Sequence, residues 1–418
     1  MKLSVLFIFL SAVATGCTNQ GNEKKNDALF IDTTTGYINQ EIVKRMDSSS
    51  IDPKSLTEKI EAITKAAKVT GLAITIFNNN EVVYQNALGS KNAQLKDPLG
   101  VNTVFYAASL SKMVFAHLVM QLVQDSIINL DKPLQQYLKQ PLPEIKFEKE
   151  WKGFSDLKSD DRYKLITARM CLSHTTGFPN WRWITDKGMD ENGKLYLQFD
   201  PGTKYSYSGE GLHLLQYVIE QITGRGLEDL AREKIFDPLA MNMTSYVWQK
   251  RFEKKYCNGH TATGEVIPKD TEDEAGAAGS METTLADYSK FLVAVMNKRL
   301  LKESTFAEMI KPQIRIKSKQ QFGPDAKVDT DAFNAINLSY GLGGGLLQTK
   351  YGTGFFKEGH GDGFQHYFIL FPDKKIGVLI MTNSDNGESA FKELLELSIA
   401  DTFTPWEWQN YFPYKSQK

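Results

Sequence analysis

Two serine–lysine pairs with the same spacing occur in this 418-residue chain, Ser109-Leu-Ser-Lys112 and Ser155-Asp-Leu-Lys158. On a helix, residues i and i+3 share a face, so the amine can reach the hydroxyl. A serine hydroxyl is a weak nucleophile and needs a neighbouring base. A helix N-terminus also favours the negative charge of a developing alkoxide. Context separates the pairs. Ser155 lies in a polar, Gly- and Asp-containing stretch with no helix behind it. Ser109 follows Thr103-Val-Phe-Tyr-Ala-Ala108 and opens a run dense in Leu, Met, Val and Phe through Gln124. A buried helix preceded by a strand would hold Ser109 at a strand-to-helix junction. Taken alone, the pair equally suits a helix-capping serine beside a solvated lysine.

The elements around this junction read as follows. A helical pattern runs from Leu56 through Lys68. Leu72–Phe77 and Glu81–Tyr84 flank Asn78-Asn79-Asn80 and read as a β-hairpin. From Ile127 to about Phe306 the long apolar patterns are helical. Tyr367–Phe371 and Ile376–Thr382 read as strands joined at Pro372-Asp373-Lys374, and Glu388–Asp401 as a closing helix. Strands at both ends and helices between them predict an α/β fold. We expect a mainly antiparallel sheet flanked by helices, over residues 51–418, with an all-helical subdomain inserted at roughly 116–280.

The N-terminus reads differently. Lys2 precedes an apolar run, Leu3 to Val13, too short to span a bilayer. It closes on Ala14-Thr15-Gly16-Cys17 and resembles a bacterial lipoprotein signal. Residues 1–16 are then a signal peptide, and Cys17 the lipidated new terminus that attaches the chain to a membrane. Residues 17–50 are rich in Asn, Lys, Asp, Ser and Thr and read as a flexible tether. The expected location is the periplasm or cell envelope. Cys171 and Cys257 could pair in an oxidising compartment, but Cys171 lies in an apolar stretch that suits a buried free thiol. The formal net charge of -1 gives nothing that would attract nucleic acid. Oligomeric state is not legible.

Beyond the serine–lysine pair, the chain resembles the serine β-lactamase-like family, in its class C β-lactamase, penicillin-binding protein and esterase branch. The resemblance runs from about Gly71 to Asn383. It includes Gly71-Leu-Ala-Ile, Leu130-Asp-Lys-Pro133, Leu172-Ser-His-Thr-Thr-Gly177 and Pro201-Gly-Thr-Lys-Tyr-Ser-Tyr207-Ser. It continues with Ile222-Thr-Gly224, Gly279-Ser-Met-Glu-Thr283, His360-Gly-Asp362 and Thr382-Asn383. It implies Ser109 as nucleophile and Tyr207, rather than Tyr205, as a proton-accepting phenolate stabilised by Lys112. It places the family's third element, usually Lys-Thr-Gly or His-Thr-Gly, at His360-Gly361-Asp362. The N–H groups of Ser109 and Gly363 would then form the oxyanion hole, and His174 would brace the site. A metal site built on His360, Asp362 and His366 is conceivable but disfavoured.

Two departures matter. The tyrosine motif usually ends in asparagine, a donor to a β-lactam or peptide amide, and Gly209 stands there. The third element here lacks lysine. Both point toward an ester or a specialised peptide. No Gly-x-Ser-x-Gly elbow occurs, which argues against an α/β-hydrolase. The expected activity is hydrolysis through an acyl-enzyme, on a β-lactam, a D-amino-acid peptide or a carboxylic ester, without metal or cofactor. The alternative is a catalytically idle binder of cell-wall fragments. Trp181 and Trp183 could line the cleft or lie in the core.

Overall fold

The computed structural model describes residues 42–185, 188–271 and 273–416. The stretch read as a signal peptide, residues 1–16, and Cys17 lie outside them.

The first described elements correct the expected tether. Val43–Lys44 (β1) and Ser50–Ile51 (β2) form a small antiparallel pair. Val43 is fully buried, and Lys44 exchanges two hydrogen bonds of 2.9 Å with the Asn78 side chain. The Met46 N–H donates to the carbonyl of Ile399 (3.1 Å). Residues 43–50 of the stretch read as linker are therefore part of the fold.

Helix α1 (Pro53–Ala66) starts where Asp52 accepts from the Ser55 N–H and Pro53 occupies the first turn. Strands β3 (Gly71–Asn78) and β4 (Glu81–Asn92) are joined by Asn79 and Asn80, both at positive φ, as a tight hairpin requires. Short β5 (Asp97–Pro98) and β6 (Val104–Tyr106) lead into α2 (Ser111–Gln124). Eleven of the 14 residues of α2 are buried, which makes it the central helix.

Between α2 and residue 281 the chain is helices, 3₁₀ turns and two short hairpins. These include α3 (Ala168–Leu172), the pair β7 (Ile184–Thr185) and β8 (Gly188–Met189), α4 (Gly209–Thr223) and α5 (Leu227–Ala231). The pair β9 (Gly259–His260) and β10 (Val266–Ile267) follows. Strand β11 (Glu282–Thr284) then pairs back with β6, ahead of α6 (Leu285–Met296) and α7 (Glu303–Met309).

The remaining strands are β12 (Ile314–Arg315), β13 (Ser339–Tyr340), β14 (Gly345–Thr349), β15 (Gly352–Gly361), β16 (Phe364–Phe371) and β17 (Ile376–Thr382). Helices α8 (Glu388–Ile399) and α9 (Trp406–Gln409) close the chain. One antiparallel sheet of nine strands runs β12-β13-β14-β15-β16-β17-β3-β4-β5. The two halves of the sequence meet where β17 pairs with β3, Thr382 opposite Leu72. Strand alternation splits the side chains between two cores. One face buries Phe355 and Phe368 with α2 and α6; the other buries Phe356 and Ile369 with α1 and α8.

Candidate active site

Ser109 sits in a single 3₁₀ turn, Ala108–Leu110, between β6 and α2. Ala108 carries φ +46° at 1% exposure, a conformation that costs a residue with a Cβ roughly 1–2 kcal/mol. Packing against β15 holds this turn. A Cβ at Gly359 would lie 2.9 Å from the Ala107 carbonyl, and one at Gly361 would lie 2.6 Å from the Tyr106 ring. Only backbone fits so close to the turn.

Lys112 lies in the first turn of α2. Its Nζ is 3.0 Å from Ser109 Oγ and also donates to the carbonyl of Ala278. Burial, reinforced by the cationic Lys357, holds the Lys112 pKa well below the usual 10.5. Lys112 is therefore disposed to be a free amine. Ser109 itself is only part-buried, so it is the member of the group that solvent and substrate can touch.

Tyr207 immediately precedes Ser208, whose side chain caps α4 by accepting from the Gly211 N–H (3.0 Å). The Tyr207 hydroxyl reaches the Ser109 side chain. His174 braces this approach. Its Nδ1 accepts from the Ser208 N–H (3.1 Å), its carbonyl accepts from the Ser206 N–H (2.9 Å), and its ring lies 4.2 Å from that of Tyr207. Burial first, then Lys357 and Lys112, keep His174 neutral. Tyr205 turns toward Tyr340 and Trp408 instead.

The charge on Tyr207 departs from the expectation. Burial, then the Glu358 carboxylate, push its pKa well above 10, so the phenol keeps its proton. The amine is the group whose pKa falls.

A residue that sequence reading missed completes the group. Lys357, fully buried in β15, donates to the Tyr207 hydroxyl (2.9 Å), to Glu358 Oε1 (2.7 Å) and to the Glu358 carbonyl (3.0 Å). Burial lowers its pKa and Glu358 holds it up. Lys357-Glu358-Gly359 thus lies where a lysine element is needed, three residues before the stretch assigned from sequence. Two signals mark it: the one lysine of the strand, directly after Phe355-Phe356, and a glycine two residues on.

The stretch assigned from sequence lies elsewhere. The His360 side chain is 59% exposed and pairs through Nδ1 with Glu388 Oε1 (2.7 Å) at the start of α8. Asp362 is exposed at the β15–β16 turn. The Gly363 N–H is committed to Asp385 Oδ1 (2.7 Å), and its Cα lies against Gly259 and His260 rather than Ser109. Gly363 is therefore withdrawn as an oxyanion donor. Both ring nitrogens of His366 are engaged, with the Tyr106 carbonyl and the Thr382 N–H, so it offers no metal ligand. Ser155 and Lys158 are exposed on a 3₁₀ turn. Cys171 and Cys257 are buried and free.

At Gly209 a Cβ would lie 2.7–2.9 Å from the Trp181 indole. The glycine admits Trp181, which stacks on Trp183 with centroids 5.1 Å apart. Both indoles line a cleft of about 750 Å³ that is also lined by Ala278, the residue that accepts from Lys112.

A family model described as Beta-lactamase matches residues 56–400. The chain is 27% identical to lovastatin esterase of Penicillium rubens over 44% of its own length and 51% of that enzyme. It is 25% identical to esterase EstB of Burkholderia gladioli, over 50% and 57%. It therefore spans only about half the length of these curated relatives. With the teichoic acid D-alanine hydrolase of Staphylococcus aureus it shares 22% identity over 88% of this chain and 83% of that one. Among solved structures, the octameric penicillin-binding protein homologue from Pyrococcus abyssi superposes with TM-score 0.66 at 21% identity, covering 85% and 80% of the two chains. EstCE1, described as a hydrolase with promiscuous acyltransferase activity, gives 0.63 at 17%, covering 83% and 99%. With the family model spanning most of its length and this fold beneath it, the chain belongs to the beta-lactamase family.

Proposed function

We propose that the chain is a serine hydrolase that cleaves a carboxylic ester or a D-amino-acid derivative through an acyl-enzyme on Ser109. The observation that carries this reading is one chain of contacts, Lys357 to Tyr207 to Ser109 to Lys112. Esterase relatives and the D-alanine hydrolase relative support the substrate class.

In this reading the free Lys112 amine takes the Ser109 proton as Oγ attacks the substrate carbonyl. The charge moves to the carbonyl oxygen. Two N–H groups are available to receive it: that of Ser109, and that of His360. Alternation along an antiparallel pair supports the second. Gly361 closes the two-residue turn opposite Phe364, so the backbone of His360 points away from β16, toward the edge that β14 leaves at Phe356 and the Ser109 turn fills. Tyr207, held by Lys357, passes a proton to the leaving group and is reprotonated from Lys112. Water then attacks the acyl-enzyme, with the same groups working in reverse.

Intact-protein mass spectrometry after exposure to a fluorophosphonate and to a penicillin tests this. An adduct on Ser109 from the fluorophosphonate, absent in Ser109→Ala, is expected. No adduct on well-folded protein would overturn the reading in favour of an idle binder. A penicillin adduct as well would move the substrate toward β-lactams and wall peptides.

We further propose that residues 1–16 direct export and that Cys17 carries the lipid, on the sequence pattern alone. Metabolic labelling with a fatty-acid probe, lost in Cys17→Ser, is the test.

A further inference from the structure

We propose that Glu358 makes this a site for substrates whose acyl chain is neutral or positively charged, and that it excludes anionic ones. This rests on Ser109 being the nucleophile and goes beyond it to the charge of the substrate.

An ammonium has three N–H groups and no acceptor. Lys357 uses all three, one on the Tyr207 hydroxyl and two on Glu358, through its carbonyl and Oε1. None is left to hold a substrate carboxylate. The charge is cancelled as well, because the partner carboxylate lies 2.7 Å away and both side chains are at most 5% exposed. The other nearby cation, Lys112, is disposed to be the free amine. The side chains around Ser109 thus present no net positive charge to an anion.

Glu358 is also under-used. Its Oε1 accepts from Lys357 and from the Gln321 amide (2.8 Å), while its buried Oε2 has no hydrogen-bond partner among the described residues. A buried carboxylate oxygen without a donor leaves negative potential at the site. An incoming anion meets that potential with no compensating donor, and an incoming cation is favoured by it.

The neighbouring cleft has the same sign. Glu210 is neutralised by Arg182 (2.8 Å) and Glu274 by Lys149 (2.7 Å) and Lys152. Glu220 and Asp273 also line it, and neither has an ion pair among the described residues. The Trp181–Trp183 stack lines the same cleft, and its ring faces attract an alkylated ammonium and offer nothing to a carboxylate. The position freed by Gly209 is therefore filled with indole rather than an amide donor.

Three matched p-nitrophenyl esters test the proposal: 4-(trimethylammonio)butyrate, its neutral isostere 5,5-dimethylhexanoate, and adipate monoester. The wild-type kcat/KM should be at least tenfold lower for the anion than for the neutral ester, with the cation equal to or better than the neutral one. In Glu358→Gln, which keeps the shape and frees the Lys357 charge, the anion-to-neutral ratio should rise about tenfold. Glu358→Thr should change it in the same direction and replaces the Gln variant should that one fail to melt cooperatively. A wild-type ratio near one, or above one, overturns the proposal without any variant. So does an unchanged ratio in a folded Glu358 variant. Where Ser109 labels with the fluorophosphonate but the esters show no charge preference, the charge reading alone falls. Where Ser109 neither labels nor turns over any ester, both readings fall together.

Discussion

Two consecutive triplets of β15 carry nearly the same residue types, and only one of them reaches the group around Ser109. Lys357-Glu358-Gly359 supplies a cation, a carboxylate and a glycine. His360-Gly361-Asp362 supplies the same set in another order. The first is buried and bonded to Tyr207; the second ends at a hairpin tip, its histidine paired with α8. The difference comes from where β14 stops. Its pairing ends opposite Phe356, and beyond that point the free edge of β15 is covered by the Ser109 turn. A lysine just past the last paired residue is within reach of the site. A side chain three residues later, on the opposite face, is not. Residue type alone therefore does not assign a motif; burial and strand face decide it.

The largest expected effect comes from removing the buried cation of the inner triplet. Lys357→Met removes the donor that holds Tyr207 and leaves Glu358 buried and unpaired. We expect kcat to fall about 100-fold or more, or roughly 3 kcal/mol of transition-state stabilisation. His360→Ala keeps the backbone N–H and should change kcat less than about threefold. Steady-state kinetics on one neutral ester compare them. Equal losses would erase the distinction between the triplets.

Glycines sharpen the same contrast. Gly363 has φ +73°, and a Cβ there would meet the His260 nitrogen at 2.5 Å. Gly363→Ala should cost about 2–4 kcal/mol of stability from backbone strain and overlap, with kcat per folded molecule unchanged. Gly359→Ala would press on Ala107 and Leu110 under the nucleophile. It should cost less stability and much more activity, since a displacement of the reacting group of about 1 Å is worth on the order of 100-fold. Chemical denaturation alongside kinetics on the folded fraction separates the two effects.

This comparison also marks what was legible in the sequence. Ser109, Lys112 and Tyr207 are readable because each sits in a local pattern: a serine–lysine spacing before an apolar helix, and a Pro-Gly-Thr run before a cap. The two ends of the sheet are readable because β3, β16 and β17 are nearly continuous apolar runs; β12 to β15 carry no such run. Lys357 is not, because its role depends on the length of β14 and on a register fixed by two turns. The same holds for residues 43–51. Their composition is polar, and what folds them is long-range: hydrogen bonds to Asn78 and to the Ile399 carbonyl. The base assignment was illegible for a third reason. Burial sets the order of the two pKa values, with Lys357 adding to it at Lys112 and Glu358 at Tyr207, and none of these shows in spacing.

The pH profile offers a smaller and more specific test. The acid limb of kcat/KM should report loss of a proton from Lys112, whose pKa burial and Lys357 depress. Removing Lys357 takes away one depressing charge and leaves Glu358 free to raise the value. Lys357→Met should therefore move the acid limb to higher pH, by about one unit. His360→Ala should leave it in place. A limb that moves down in Lys357→Met would mean that Lys112 is not the titrating base.

The smallest effect belongs to the outer triplet and concerns stability only. The Glu388 carboxylate raises the His360 pKa above the ordinary 6.5. A group whose folded pKa is raised adds stability below its unfolded pKa and loses it as pH rises through the folded value. The pair is solvent-exposed on the histidine side, so its contribution should be less than about 1 kcal/mol. His360→Ala should then lower the melting temperature slightly near pH 6 and not at pH 9, where the wild-type imidazole is neutral. A destabilisation that is equal at the two pH values would mean that the ring acts by packing rather than by charge. It would bring the outer triplet closer in character to the buried one.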